Sequence, residues 1–156
     1  MSMYTANEIH LINRPSGLPS HSDVERVQRE LQPPVSGQVL IKNLYMSVDP
    51  YMRGRMRENA VYARAYQLNK PMYGGAIGKV IESNSDKVKA GDIVLNQGAW
   101  RDGLVTDDTT VTVLQPLDND SLSLYLGALG MPGLTAYVGL QKFGEPKAGE
   151  TVFVSA

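Results

Sequence analysis

Gly37-Gln38-Val39-Leu40-Ile41-Lys42-Asn43-Leu44-Tyr45-Met46-Ser47-Val48-Asp49-Pro50-Tyr51-Met52-Arg53-Gly54 is the stretch on which the fold of this chain turns. Val39, Ile41 and then Leu44 to Met46 are interleaved with Lys42 and Asn43, the pattern of a strand with one buried face. Pro33, Pro34 and Pro50 bound the run, and Asp49-Pro50 reads as a turn fixed by bonding of the Asp side chain to the backbone. Outward from this strand, 15 glycines and 9 prolines punctuate short β-branched runs instead of gathering in one linker. Further strands are expected over 8–13, 76–83, 92–98, 103–106 and 110–114, so the chain reads as mostly β with a few helices. Between 23 and 31, Val24, Val27 and Leu31 fall at i, i+3 and i+7, which predicts a short amphipathic helix with Ser22 as its cap.

The character changes after Pro116. A leucine-rich stretch over 121–129 reads as helix opened by Ser121 or Asp120, and Gly130-Met131-Pro132-Gly133 interrupts it. Leu134, Tyr137, Val138 and Gln141 then share a helical face, Gly144 suits a left-handed cap, and Pro146 prevents continuation. The turn Lys147-Ala148-Gly149-Glu150 leads into Thr151-Val152-Phe153-Val154, an apolar run of the kind buried on both faces of a parallel sheet. Such a strand needs neighbours and covering helices. The expected organisation is a substrate-side domain over 1–117 and the start of a second, truncated domain over 118–156. The alternative is that 151–154 closes the first domain as an edge strand.

With 42% hydrophobic residues the chain can build one real core. Fifteen basic against 16 acidic side chains leave no field to draw nucleic acid or an anionic membrane, so neither is expected as a partner. No apolar run approaches the ~20 residues of a membrane span, and residues 1–10, MSMYTANEIH, lack the basic and apolar zones of a signal peptide, so a cytoplasmic location is expected. The cysteine count of zero removes disulfides, thiolate nucleophiles and Cys-containing zinc sites. His10 and His21 have no acidic ligand at metal spacing, so no metal site is expected and both read as surface histidines.

Residues 43–56 resemble the Ser-Val-Asp-Pro-Tyr-Met-Arg-Gly signature of the zinc-independent medium-chain dehydrogenases/reductases, in the branch of leukotriene/prostaglandin reductases, plant alkenal double-bond reductases and bacterial curcumin reductases. Three more segments agree with that branch in order: Gly74-Gly75-Ala76-Ile77-Gly78-Lys79-Val80, then Lys89 to Val94 with Gly98-Ala99-Trp100, then Leu126 through Tyr137. Where the zinc alcohol dehydrogenases carry Gly-His-Glu, this chain has Tyr73-Gly74-Gly75, and their cysteine ligand falls near Met46 or Ser47. The resemblance implies a GroES-like, partly open β-barrel followed by the first helices and strand of a truncated Rossmann domain. It implies, for the parent, NADPH-dependent reduction of the C=C bond of α,β-unsaturated aldehydes or ketones by metal-free hydride transfer. In the family the strand matching 151–154 leads into a Gly-x-x-Gly loop that holds the dinucleotide pyrophosphate. That loop does not occur within 1–156, so the chain alone is expected to show no turnover.

Hydride addition to the β-carbon builds negative charge on the carbonyl oxygen, and a neutral donor aimed there stabilises the enolate. A tyrosine, with an ordinary pKa of about 10, keeps its proton at neutral pH. Tyr51, just after the signature strand, is the candidate catalytic residue; the alternative is a core or rim tyrosine bonded to a backbone carbonyl. Tyr62 and Tyr73 are candidate substrate-binding residues, with 59–66 as a loop over the cleft. Arg53, Arg55 and Arg57 read as a solvated edge pairing with Glu58 or Asp49. The resemblance brings Met131, Pro132 and the Thr135 hydroxyl to the nicotinamide end as cofactor-binding residues; otherwise Thr135 is an ordinary helix residue. The expected partners are a small enone or enal, the chain's own Rossmann domain, missing from 1–156, and a second copy in a homodimer of the parent. Two other readings stand beside this one: a quinone oxidoreductase of the same superfamily, and a non-catalytic GroES-like binding or assembly module.

Overall fold

The computed structural model describes residues 4–61, 63–116 and 121–155. Tyr62 and the expected domain boundary at 117/118 lie outside the described residues. Strand β1 (Tyr4–Leu11) pairs antiparallel with β2 (Val24–Leu31) along its whole length, from Tyr4 opposite Leu31 to Leu11 opposite Val24. The other edge of β1 carries the short β4 (Lys70–Pro71). The helix expected over 23–31 is therefore a strand. Val24, Val27 and Leu31 are still its least exposed residues, but an eight-residue ladder with β-branched valines decides the conformation against a helical spacing of three positions. A 3-10 turn at His21–Asp23 precedes it, tied by the Ser20 N–H donating to Asp23 Oδ2 at 2.7 Å, so Ser22 caps nothing helical.

The second sheet is built on the signature strand. β3 (Gln38–Met46) lies between β5 (Ala76–Asn84) and β7 (Gly103–Asp107), and β6 (Ile93–Asn96) and β8 (Thr112–Leu114) extend the β5 edge, all antiparallel. Val39, Ile41, Val80, Val88, Val94 and Leu104 form its core. Irregularities in the β3–β5 ladder between Leu40 and Ile41 and between Asn43 and Tyr45 change which face the last residues show, and Leu44, Tyr45 and Met46 end up exposed. Gly78 lets the two strands approach: a Cβ there would stand 2.8 Å from the Lys42 carbonyl oxygen and collide with Ile41 Cγ2.

The sheets meet where β1 passes the strand entering β7. The Asp102 carboxylate accepts the Asn7 N–H and the Asn7 Nδ2, each at 2.7 Å, and the Ile9 N–H donates to the Trp100 carbonyl at 2.8 Å. Ala6, Leu31 and Leu40 fill the seam. The result is the expected partly open barrel. Across the same seam the buried Glu8 carboxylate meets His10 Nε2 at 2.8 Å and Arg101 at 3.6 Å, so His10 is tied to a buried acid and is not a plain surface residue.

Beyond the barrel, Leu122–Leu126 is a 3-10 turn where an α-helix was expected. A helix over Met131–Val138 carries proline in its first turn and runs into a π-helical turn at Gly139–Gly144. The left-handed residue that ends it is Glu145, at φ 43°, and not Gly144. Residues 151–154 carry no strand pairing among the described residues, and Phe153 and Val154 are 87% and 83% exposed. A parallel strand exists only through its neighbours, so the apolar run by itself does not make one.

Candidate active site

The chain leaving β3 is pinned before it turns: the Ser47 N–H donates to the Gly75 carbonyl at 2.9 Å. Asp49 then adopts extended backbone (φ −109°, ψ 147°) as the N-cap of α1 (Pro50–Arg55), with proline at the first helical position. The expected turn is thus a short helix. Asp49 makes no side-chain cap bond to the backbone; its Oδ1 accepts the Ser47 hydroxyl at 2.8 Å, which corrects the expected side-chain-to-backbone tie.

On α1, Tyr51 and Arg55 are four residues apart and share a face. Both line a cavity of about 330 Å³ together with Ser47, Asp49, Gly75 and Gln97. Ala63 and Leu95 contribute apolar surface, and Tyr125, Leu126, Met131 and Pro132 complete the lining. Gly74 permits this shape. A Cβ there would collide with Met52 Cε and stand 3.2 Å from the Tyr51 hydroxyl, while one on Gly75 would meet Leu126 Cδ2 at an ordinary contact distance of 3.4 Å.

Arg55 is not the solvated edge residue expected. It is 7% exposed, with its guanidinium carbon 4.0 Å from the Tyr73 ring centroid, 4.5 Å from Tyr66 and 5.8 Å from Tyr51. Its Nε donates to the Arg64 carbonyl at 2.9 Å. A delocalised, weakly hydrated cation accepts such a ring-walled site where an ammonium would not. Tyr66 and Tyr73 meet edge to face at 5.2 Å, and the Tyr66 hydroxyl donates to the Tyr73 carbonyl at 2.8 Å. Burial pushes the Tyr66 phenol up to about 12, with the Arg55 charge pulling in the opposite direction. Arg53 turns the other way and donates to the Pro15 and Gly17 carbonyls, so it fastens the 15–17 loop. Neither Arg53 nor Arg55 pairs with Glu58 or Asp49.

The structure thus brings together Tyr51, Met131 and Pro132 of the sequence-chosen residues and leaves others outside the cavity. Tyr73 stands behind Arg55 and lines a different hollow. Tyr62 lies outside the described residues. Thr135 is exposed and its hydroxyl donates to the Met131 carbonyl at 2.8 Å, a bond within its own helix that leaves only acceptor capacity. Sequence reasoning missed Ser47, Asp49, Gln97 and Arg55 as lining residues. Arg55 sits four positions after Tyr51, and that spacing was the signal available for it.

Residues 7–114 match the family described as the N-terminal domain of oxidoreductase. The chain belongs to that family. Within it, this oxidoreductase domain is 40% identical over 147 residues to the NADPH-dependent curcumin reductase of Escherichia coli (strain K12), covering 94% of this chain and 42% of that protein. It is 42% identical over 154 residues to the NADP(+)-dependent 2-alkenal reductase of Nicotiana tabacum, covering 96% and 45%. The crystal structure of CurA in complex with NADPH from Vibrio vulnificus superposes with a TM-score of 0.83 at 35% identity, over 92% of this chain and 42% of that one. These relatives put the oxidoreductase domain in the zinc-independent medium-chain branch, and it spans less than half the length of each.

Proposed function

We propose that this domain is the substrate-side wall of an NADPH-dependent reductase acting on the C=C bond of α,β-unsaturated aldehydes and ketones, with Tyr51 as the hydroxyl that meets the substrate carbonyl oxygen. The observation that carries the reading is the placement of Tyr51 on α1, lining the same cavity as Met131 and Pro132. Ser47, Asp49 and Gln97 give that cavity polar lining beside Tyr51, and Leu95, Leu126 and Pro132 give it apolar lining. Relatives named as NADPH-dependent curcumin reductase and NADP(+)-dependent 2-alkenal reductase support the same class.

The cofactor, when bound, supplies hydride to the β-carbon. Met131 and Pro132 would hold the nicotinamide end, and the Thr135 oxygen, which retains acceptor capacity, would take a carboxamide N–H. Tyr51 donates to the oxygen on which charge grows as the enolate forms. Arg55, fixed between tyrosine rings and the Arg64 carbonyl, adds a positive field beside it, and the apolar residues exclude water. The phosphate-holding loop belongs to the second domain of the proposed parent, so residues 1–156 alone are expected to give no turnover. Homodimer formation and a cytoplasmic location belong to the same proposal for the parent.

The test is Tyr51→Phe in the full-length enzyme assayed on an enone with NADPH. We expect kcat to fall about 10- to 100-fold with KM changed by less than about threefold, the mark of a donor used chiefly in the transition state. An unchanged kcat would remove Tyr51 from the reaction.

A further inference from the structure

Tyr73, whose ring packs on the Arg55 guanidinium, also lines a second hollow of about 380 Å³. Arg29 from β2, Arg64 and Lys70 from β4 line it, with Gln67 and Tyr73 beside them. No acidic side chain among the described residues lines it, and neither ion pair of the described residues involves these three cations. Glu8, the one buried acid among the described residues, is already engaged by His10 and Arg101. Arg29 also makes itself felt beyond the hollow: burial lowers the Arg101 guanidinium pKa, Glu8 raises it, and Arg29 lowers it further by like-charge repulsion.

Arg29, Arg64 and Lys70 are solvent-exposed residues that share one recess with no acid among its described lining residues; like charges so placed repel one another, and a multiply charged oxyanion relieves that repulsion. Two guanidinium forks and an ammonium offer donors in several directions, which suits the tetrahedral oxygens of a phosphate group better than a single planar carboxylate. The recess has small-ligand dimensions and is not a flat basic face. From this convergence we infer that the hollow bounded by Arg29, Arg64 and Lys70 binds the phosphate group of a free small molecule, at a place separate from the cavity of Tyr51. Arg64 joins the two places. It lines this second hollow, and its carbonyl accepts the Arg55 Nε–H beside the other cavity.

The test is titration of the protein with inorganic phosphate, followed by backbone and side-chain NMR shifts and by calorimetry, against potassium chloride at matched ionic strength. The expected result is saturable one-to-one binding with shifts centred on Arg64, Gln67, Lys70 and Tyr73, and affinity lowered at least about tenfold in Arg64→Ala/Lys70→Ala. Lys87→Ala, which removes a cation from a different surface turn, is expected to bind phosphate as the wild type does. Absence of saturation by about 20 mM phosphate, or equal affinity in the double variant, overturns the inference. So does co-sedimentation with phosphatidic acid vesicles in the absence of any effect of free phosphate, which would make the recess a headgroup contact.

Discussion

Tyr66 concentrates the physical chemistry of the site in one side chain. It is 1% exposed, donates to the Tyr73 carbonyl and holds its proton to about pH 12. An unfolded tyrosine ionises near about 10, so between these values the folded chain binds more protons than the unfolded one and stability falls as pH rises. The contribution is fully present below pH about 10 and its loss amounts to roughly 2 to 3 kcal/mol by pH about 12. Tyr66→Phe should flatten that part of the alkaline stability profile, measured by denaturant unfolding at several pH values, while lowering stability at neutral pH by about 1 to 2 kcal/mol through the unpaired carbonyl. An alkaline slope identical to wild type would show that the phenol is not the group responsible.

At the scale of elements, two glycines make opposite demands. Gly78 in β5 has Ile41 and the Lys42 carbonyl where a side chain would go, so Gly78→Ala should destabilise by about 2 to 4 kcal/mol as the β3–β5 pair is forced apart. Gly54 inside α1 has open space around it, and Gly54→Ala should stabilise by about 0.5 to 1 kcal/mol because the short helix loses a flexible link. Thermal unfolding of the two variants side by side checks both signs. The strands of the second sheet were legible in the sequence because Val39 and Ile41 alternate ahead of Lys42 and Asn43 in β3, and because the runs over 76–83 and 92–98 are short, β-branched and bounded by glycine. β2 was not, because its conformation is set by β1, a partner that no local window contains. That Tyr51 lines a cavity was legible from its place after the signature strand, whereas the burial of Arg55 depends on rings delivered from positions 66 and 73, and its i+4 spacing gave only half the information.

For the whole molecule, cohesion rests on the seam between the sheets. Glu8 is 2% exposed and carries Arg101 and His10 with it. Glu8→Ala leaves Arg101 buried without its carboxylate and should cost about 3 to 5 kcal/mol, read as a lowered denaturant midpoint with the slope unchanged; a loss below about 1 kcal/mol would place the cohesion elsewhere. At the same seam stands Trp100, the chain's one tryptophan, held at φ 63° with its indole N–H buried and without a hydrogen-bond partner among the described residues. Its ring packs against the cluster of Leu11, Met52, Met56, Tyr66 and Met72 that supports α1. The ring is partly buried, and an indole in that position shifts its emission further to the red when the packing beneath it is wetted, so the protein carries a native optical gauge of whether the floor beneath Tyr51 is closed.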